Sequence, residues 1–278
     1  MLERVKRAFA KSNDSEHRPV LSIIVVVYDM PSQAQNTLVS LSVDYQCGVS
    51  TDEYEVIVVE NESSNSMAEA FINSLPANVH YYKRTETEAT PAYAINYGAS
   101  LAKGDYICLM VDGARMLTPG VVKNLILGQR LAEKCVVSIP GYHLGEKLQQ
   151  ESVSGGYGLE TERKLLESIG WPQDGYQLFN IACFSGSCAS GLFLPNSESN
   201  CVSVPRSLWV ELDGYDEGFN LRGGGLINLD FYRRACESPG VQHVIIPGEG
   251  TFHQFHGGVT TGGEEKGVRA AYIKASKE

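Results

Sequence analysis

Acid and amide side chains stand at three places where an apolar, β-branched run of this sequence breaks off. Tyr28 and Asp29 follow LSIIVVV, Glu60 and Asn61 close EYEVIVVEN, and Asp112 ends DYICLMVD. Such groups at neighbouring strand ends suit hydrogen bonding to a base and ribose, with a divalent ion offsetting the charge of a diphosphate. An Asp-x-Asp metal motif would place a second carboxylate two residues after Asp112, and there the chain has Ala114. Plainer readings stand beside these. Asp112-Gly113 is a turn signal, and Glu60 and Asn61 are good caps for a following helix. His253 and His256, in GTFHQFHGG, sit among Phe252 and Phe255 and fit either a packed, hydrogen-bonded pair or metal ligands. Asp230 lies four residues before Arg234, the spacing of an ion pair on a helix.

The elements that must position these groups follow from hydrophobic spacing. LSIIVVVYD (21 to 29) is apolar on both faces, as a strand inside a parallel sheet must be. Pro31 ends it and Ser32 caps a helix whose stripe is Ala34, Leu38, Leu41 and Tyr45. The cycle repeats with a strand at 53 to 61, a helix around Ser66 to Leu75 and a strand at 79 to 84. Pro91 then opens a helix with Ala92, Ile95, Ala99 and Ala102 inward, and Gly104 supplies a left-handed stop. After the strand ending at Asp112, Thr118-Pro119 opens a helix with Val121, Val122, Leu125 and Ile126 inward. This alternation predicts an α/β, doubly wound, mostly parallel sheet with helices on both faces. Ligands of such sheets bind outside the carboxyl ends of the strands. Past CVVSIPGYHLG (135 to 145) the regularity fades into glycine- and serine-rich sequence, suited to loops that line a site. A helix TERKLLESIG, a helix LINLDFYRRACES and a strand QHVIIPG interrupt it.

Composition narrows the function classes. A formal charge of −10 over 278 residues argues against nucleic-acid binding, which relies on a basic surface. The longest apolar run, Ile23 to Tyr28, is far short of the roughly 18 residues that span a bilayer. The first segment lacks an apolar signal-peptide core. Its Leu2, Val5, Phe9 and Ala10, set among the basic residues Arg4, Lys6, Arg7 and Lys11, fit a frayed extension or peripheral contact with an anionic membrane. Seven cysteines without CxxC pairing read as reduced thiols in a cytoplasmic protein, with no zinc knuckle. There is no GxGxxG after the first strand and no phosphate-cradling P-loop.

Taken in order, the strand-Tyr-Asp-x-Pro start, VIVVENESSN, NYGASLAKGDYICLMVDGA, GYDEGF and a late HGG resemble the family 2 glycosyltransferases of GT-A fold, which use nucleotide-diphosphate sugars. The resemblance covers residues 20 to 260. It implies an N-terminal extension at 1–19, one domain at 20–262 and a tail at 263–278. Within the domain, 20–140 would be the nucleotide-binding half and 141–262 a loop-rich acceptor half. Tyr28, Asp29, Glu60, Asn61, Asn96 and Asp112 match the family's nucleotide-binding positions, and Gly98 belongs to the same Asn-x-Gly helix. Asp112 and His256 match its metal or diphosphate site, implying Mn²⁺ or Mg²⁺, with Mn²⁺ favoured by an imidazole donor. GYDEGF, Gly214 to Phe219, resembles a stretch of the acceptor half. The acidic pair that should carry the general base reads GGGLINLD, where Asp230 is the only carboxylate nearby. The implied activity is inverting transfer from a UDP-sugar to a glycan, lipid or protein acceptor, in the cytoplasm or at the inner face of the membrane. Loss of two carboxylates leaves a second reading, a catalytically inactive domain that binds nucleotide sugar or a partner chain.

Overall fold

The computed structural model describes residues 18–85, 90–197, 199–219 and 226–256. The expected tail, nearly all of the N-terminal extension and the glycine run at 223–225 lie outside these residues. Strand β1 (Leu21–Val27) is buried along its whole length, and so is β2 (Tyr54–Glu60). Between them runs α1 (Pro31–Ser40). Pro31 itself is the first helical residue, so the cap position falls to Met30 and Ser32 lies inside the helix. The predicted helix at 66–75 shrinks to one turn, α2 (Glu69–Ile72), before β3 (Val79–Lys83). Helix α3 (Ala92–Leu101) leads to β4 (Tyr106–Met110), β5 (Arg115–Leu117) and α4 (Val121–Gln129).

Two glycines explain how closely these layers meet. A Cβ on Gly98 would stand 2.5 Å from Ile24 Cγ2, so this glycine lets α3 press onto the sheet. Gly104 is not the left-handed stop that its position suggested; helix α3 ends on the extended residue Ala102. Its missing side chain instead admits the backbone of Ser22, whose N would lie 2.7 Å from a Cβ.

The apolar stretch at 135–145 divides into β6 (Cys135–Ser138) and β7 (Gly141–Leu144), which enter different sheets. Pro140 between them has no N–H for a ladder, and the chain turns there. Then follow α5 (Gln149–Ser152), α6 (Leu159–Ser168), β8 (Ala182–Phe184), β9 (Val202–Pro205), α7 (Arg206–Glu211), α8 (Ile227–Glu237), β10 (Gln242–Ile245) and β11 (Thr251–His253).

The main sheet has seven strands in the order β10-β6-β9-β4-β1-β2-β3, parallel except for β9, which runs against β4 and β6. Alternate residues of β1 serve two cores. Ile23, Val25 and Val27 pack with α1 and α4, while Ile24 and Val26 pack with α3 and α8. Each such fully buried side chain contributes about 1.5 to 3 kcal/mol. A second sheet, β5-β11-β7-β8, carries a small aromatic core in which Tyr142 stacks between Phe184 and Phe252. No helix among the described residues is long and apolar enough to cross a membrane.

Candidate functional site

The carboxyl end of β1 turns sharply. Asp29 takes φ of +50°, left-handed backbone that Asp adopts more readily than most residues. Its Oδ1 accepts from Ser64 Oγ and Asn65 N, both at 2.9 Å, and its own N–H donates to Ser63 Oγ at 3.1 Å. Burial works to raise this carboxyl, but the Asn65 amide and its neighbours outweigh it and hold the group below its usual value. Asp29 thus ties the loop after β1 to the loop after β2. Tyr28 beside it is 48% exposed.

At the end of β2, Glu60 is wholly buried. Tyr81 donates its hydroxyl to Glu60 Oε2 at 2.5 Å, whereas Oε1 has no hydrogen-bond partner. Asn61 Oδ1 is likewise buried without a donor. Buried acceptors are seldom left unpaired, and these two suit a ligand that brings N–H or O–H groups. A cleft of about 230 Å³ lies next to this edge, lined by Asp29, Pro31, Ser32, Gln33, Asn65, Leu159, Phe255 and His256. Asp29 borders the cleft directly, and Asp112 reaches it through His256.

Asp112 follows β4 and folds back on itself, with Ala114 N–H donating to Oδ1 at 3.0 Å. The turn reading of Asp112-Gly113 is therefore correct, and it leaves the carboxylate free to face the second sheet. Ala114 is fully buried in the apolar core that holds Met110 and Leu117, so a carboxylate at that position would point into hydrocarbon. In its stead the antiparallel pairing of β5 with β11 brings in His253, whose Nε2 lies 2.8 Å from Asp112 Oδ2. His256 Nε2 is 3.6 Å from Asp112 Oδ1 and 3.2 Å from His253 Nε2. The three ligand atoms lie within 4.8 Å of one another.

The buried Gln149 decides which nitrogen of His253 faces this group. Its Nε2 donates to the carbonyl of His253 at 2.9 Å, so its Oε1, 2.6 Å from His253 Nδ1, must accept. The ring proton of neutral His253 therefore sits on Nδ1, and Nε2 presents a lone pair to Asp112 and His256. Such a trio, with Gln149 as an oriented outer partner, could hold a divalent cation, and its two imidazoles would suit Mn²⁺ better than Mg²⁺.

These contacts shift the ionisation of all three groups. Burial opposes ionisation of Asp112, yet the two imidazoles hold its carboxyl well below the usual range. Burial drives His253 down to about 4 against the pull of Asp112. At His256 burial pulls the same way but the carboxylate wins, and the ring is held above its ordinary value. Glu162, from the first turn of α6, accepts from Phe255 N at 2.8 Å and from Tyr157 Oη at 3.2 Å, and so fixes the backbone beside His256. Its burial pushes the carboxyl up to about 7 despite those two donors.

Two further candidates, Asn96 and Asp230, are engaged by groups around the GYDEGF turn. The Asn96 amide is fully engaged by the GYDEGF turn, donating to Tyr215 O and Glu217 Oε1 and accepting from Tyr215 N. Asp230 is held by Arg234 Nε at 2.7 Å, the ion pair that its spacing predicted. Arg234 also donates to the carbonyls of Leu212 and Gly214, so both residues brace the same turn. His253 reads from the sequence as either packed or ligating, whereas no motif marks Gln149 or Glu162.

Residues 22–127 match the model of glycosyl transferase family 2, and the resemblance drawn from the motifs holds over that segment. No curated protein matches the sequence. Among solved structures, a crystal structure of S. aureus TarS is similar with a TM-score of 0.57 at 15% identity, covering 86% of this chain and 37% of that one. S. aureus TarS 1-349 in complex with UDP is similar with a TM-score of 0.57 at 15% identity, covering 85% of this chain and 60% of that one. The same protein in complex with UDP-GlcNAc gives 0.57 at 14% identity, covering 92% of this chain and 66% of that one. The chain thus spans about a third to two thirds of those proteins, and the likeness is one of fold. The mostly parallel seven-stranded sheet with flanking helices is the GT-A type expected.

Proposed function

We propose that the protein is a glycosyltransferase that takes its sugar from a UDP-linked donor and passes it, with inversion, to an acceptor hydroxyl. The observation that carries this reading is the convergence of Asp112, His253 and His256 at the carboxyl edge of the sheet, beside a cleft that Asp29 borders. The UDP and UDP-GlcNAc complexes of structurally similar proteins support the donor class.

In this reading Asp29, Glu60 and Asn61 seat the nucleoside, with Tyr28 at its open side. Asp112, His253 and His256 would hold a divalent ion, which when bound offsets charge on the diphosphate. Asp230 is the proposed base. Arg234 donates to its Oδ2 and fixes the orientation of the carboxylate, as a base must be placed within hydrogen-bond reach of the proton it takes. Inversion requires only one such displacement, so no covalent sugar-enzyme intermediate is called for.

A binding-only reading has a specific observation in its favour: Ala114 is buried in the core and Asp230 is already committed to Arg234. Calorimetric titration with UDP, with and without Mn²⁺, followed by a donor-hydrolysis assay, separates the two. Metal-assisted UDP binding with turnover is the expected result. Binding without turnover on any donor favours the binding-only domain, and failure to bind any nucleotide removes both.

A further inference from the structure

We propose that Arg115 is a diphosphate-binding residue, a fixed cation that gives this site affinity for a nucleotide's phosphates without a divalent ion. The inference rests on the donor reading above and adds to it a group that no motif contains. Arg115 is the first residue of β5 and stands opposite His253 in the antiparallel ladder, so the two side chains share a face of the second sheet. Its side chain is 9% exposed, and its nearest anionic group is Asp112 Oδ2, 3.7 Å from Nε. That distance is too long for a hydrogen bond, and Nε is buried with no partner at all. Among the described residues nothing accepts a hydrogen bond from the guanidinium.

A buried guanidinium normally fills its fork with acceptors, because an unfilled one loses its water for nothing in return. If Arg115 served only to balance Asp112, the two would meet at hydrogen-bonding distance. The free donors instead match the paired oxygens of a phosphate, the geometry in which arginine surpasses lysine.

The charge count points the same way. Two carboxylates of an Asp-x-Asp pair carry −2 and need a divalent ion merely to reach neutrality before any phosphate arrives. Here Asp112 at −1 and Arg115 at +1 start at zero. A diphosphate then meets a site that does not repel it, and an ion strengthens the binding instead of permitting it.

The test measures binding of inorganic pyrophosphate, UDP and Mn²⁺ to the whole chain by calorimetry. The wild type is expected to bind pyrophosphate in EDTA. Arg115→Met should weaken that binding at least ~10-fold, the loss of one charge-assisted pair, with Arg115→Lys between the two. Arg115→Met should also tighten Mn²⁺ binding, because it removes a positive neighbour from the ligand set. Opposite signs for the two ligands cannot arise from misfolding, which would weaken both. Pyrophosphate binding in EDTA that is equal in wild type and Arg115→Met, or absent from the wild type, overturns the proposal. If either occurs while UDP with Mn²⁺ still binds, the donor reading stands and only the Arg115 role falls. If UDP never binds but pyrophosphate binding depends on Arg115, the anion site stands and the donor reading falls.

Discussion

Gln149 grips His253 at both ends, accepting from the ring at Nδ1 and donating to the main-chain carbonyl of the same residue. One side chain thereby sets both the tautomer and the position of a proposed metal ligand more than a hundred residues away in sequence. Gln149→Leu keeps the bulk and removes both bonds. It should weaken Mn²⁺ binding about 10- to 100-fold, as loss of an outer partner does. Gln149→Glu, which can still accept from Nδ1, should keep most of the affinity. Calorimetry with Mn²⁺ checks both, and equal affinity in Gln149→Leu would mean that the tautomer is set by something else.

Asp112→Asn removes the only carboxylate among the three ligands. UDP affinity in Mn²⁺ should fall about 10-fold or more, while affinity in EDTA should hold or rise, since a negative charge beside the phosphates has gone. Equal loss with and without chelator would contradict a ligand role for Asp112.

Asp230→Asn should lower turnover at least 100-fold, the contribution expected of a base, and leave UDP affinity alone. Steady-state rates paired with UDP titration read the two apart. Unchanged turnover would leave Asp230 as a brace for Arg234 and the Gly214 turn.

Glu162 gives a pH signature to stability. Its carboxyl is raised to about 7 in the folded chain against roughly 4.3 in an unfolded one. Between those values the folded state binds the extra proton, so its contribution is full below the lower value and is lost as pH rises through the upper one. The shift corresponds to roughly 4 kcal/mol at most. Glu162→Gln mimics the protonated form and should gain stability relative to wild type as pH rises from about 5 to 8. Denaturant titrations across that range in EDTA check it, and a constant difference would refute the assignment.

The main sheet was legible because its strands are buried on both faces and its helices carry regular stripes. Pattern and burial agree residue by residue in β1 and β2. The second sheet was not legible. β5, β8 and β11 have three residues each, too few to show a period, and their partners are distant. The signal missed lay in the alternation of Thr251-Phe252-His253. Phe252 packs among the aromatics and His253 faces the other way, so one strand satisfies both the packed and the ligating readings. Nothing local marks Gln149, whose meaning comes only from contacts across the fold. Ala114 is a core residue, and in the proposed site β11 would supply the donor that an Asp-x-Asp motif places there.

Strand β11 lies between β5 and β7, near the end of the described chain. A nascent polypeptide emerging from the ribosome therefore carries Asp112 and Arg115 long before it carries His253 or His256. Until that late strand slots into place, the growing chain lacks the imidazole pair that the proposed metal site requires at the sheet edge.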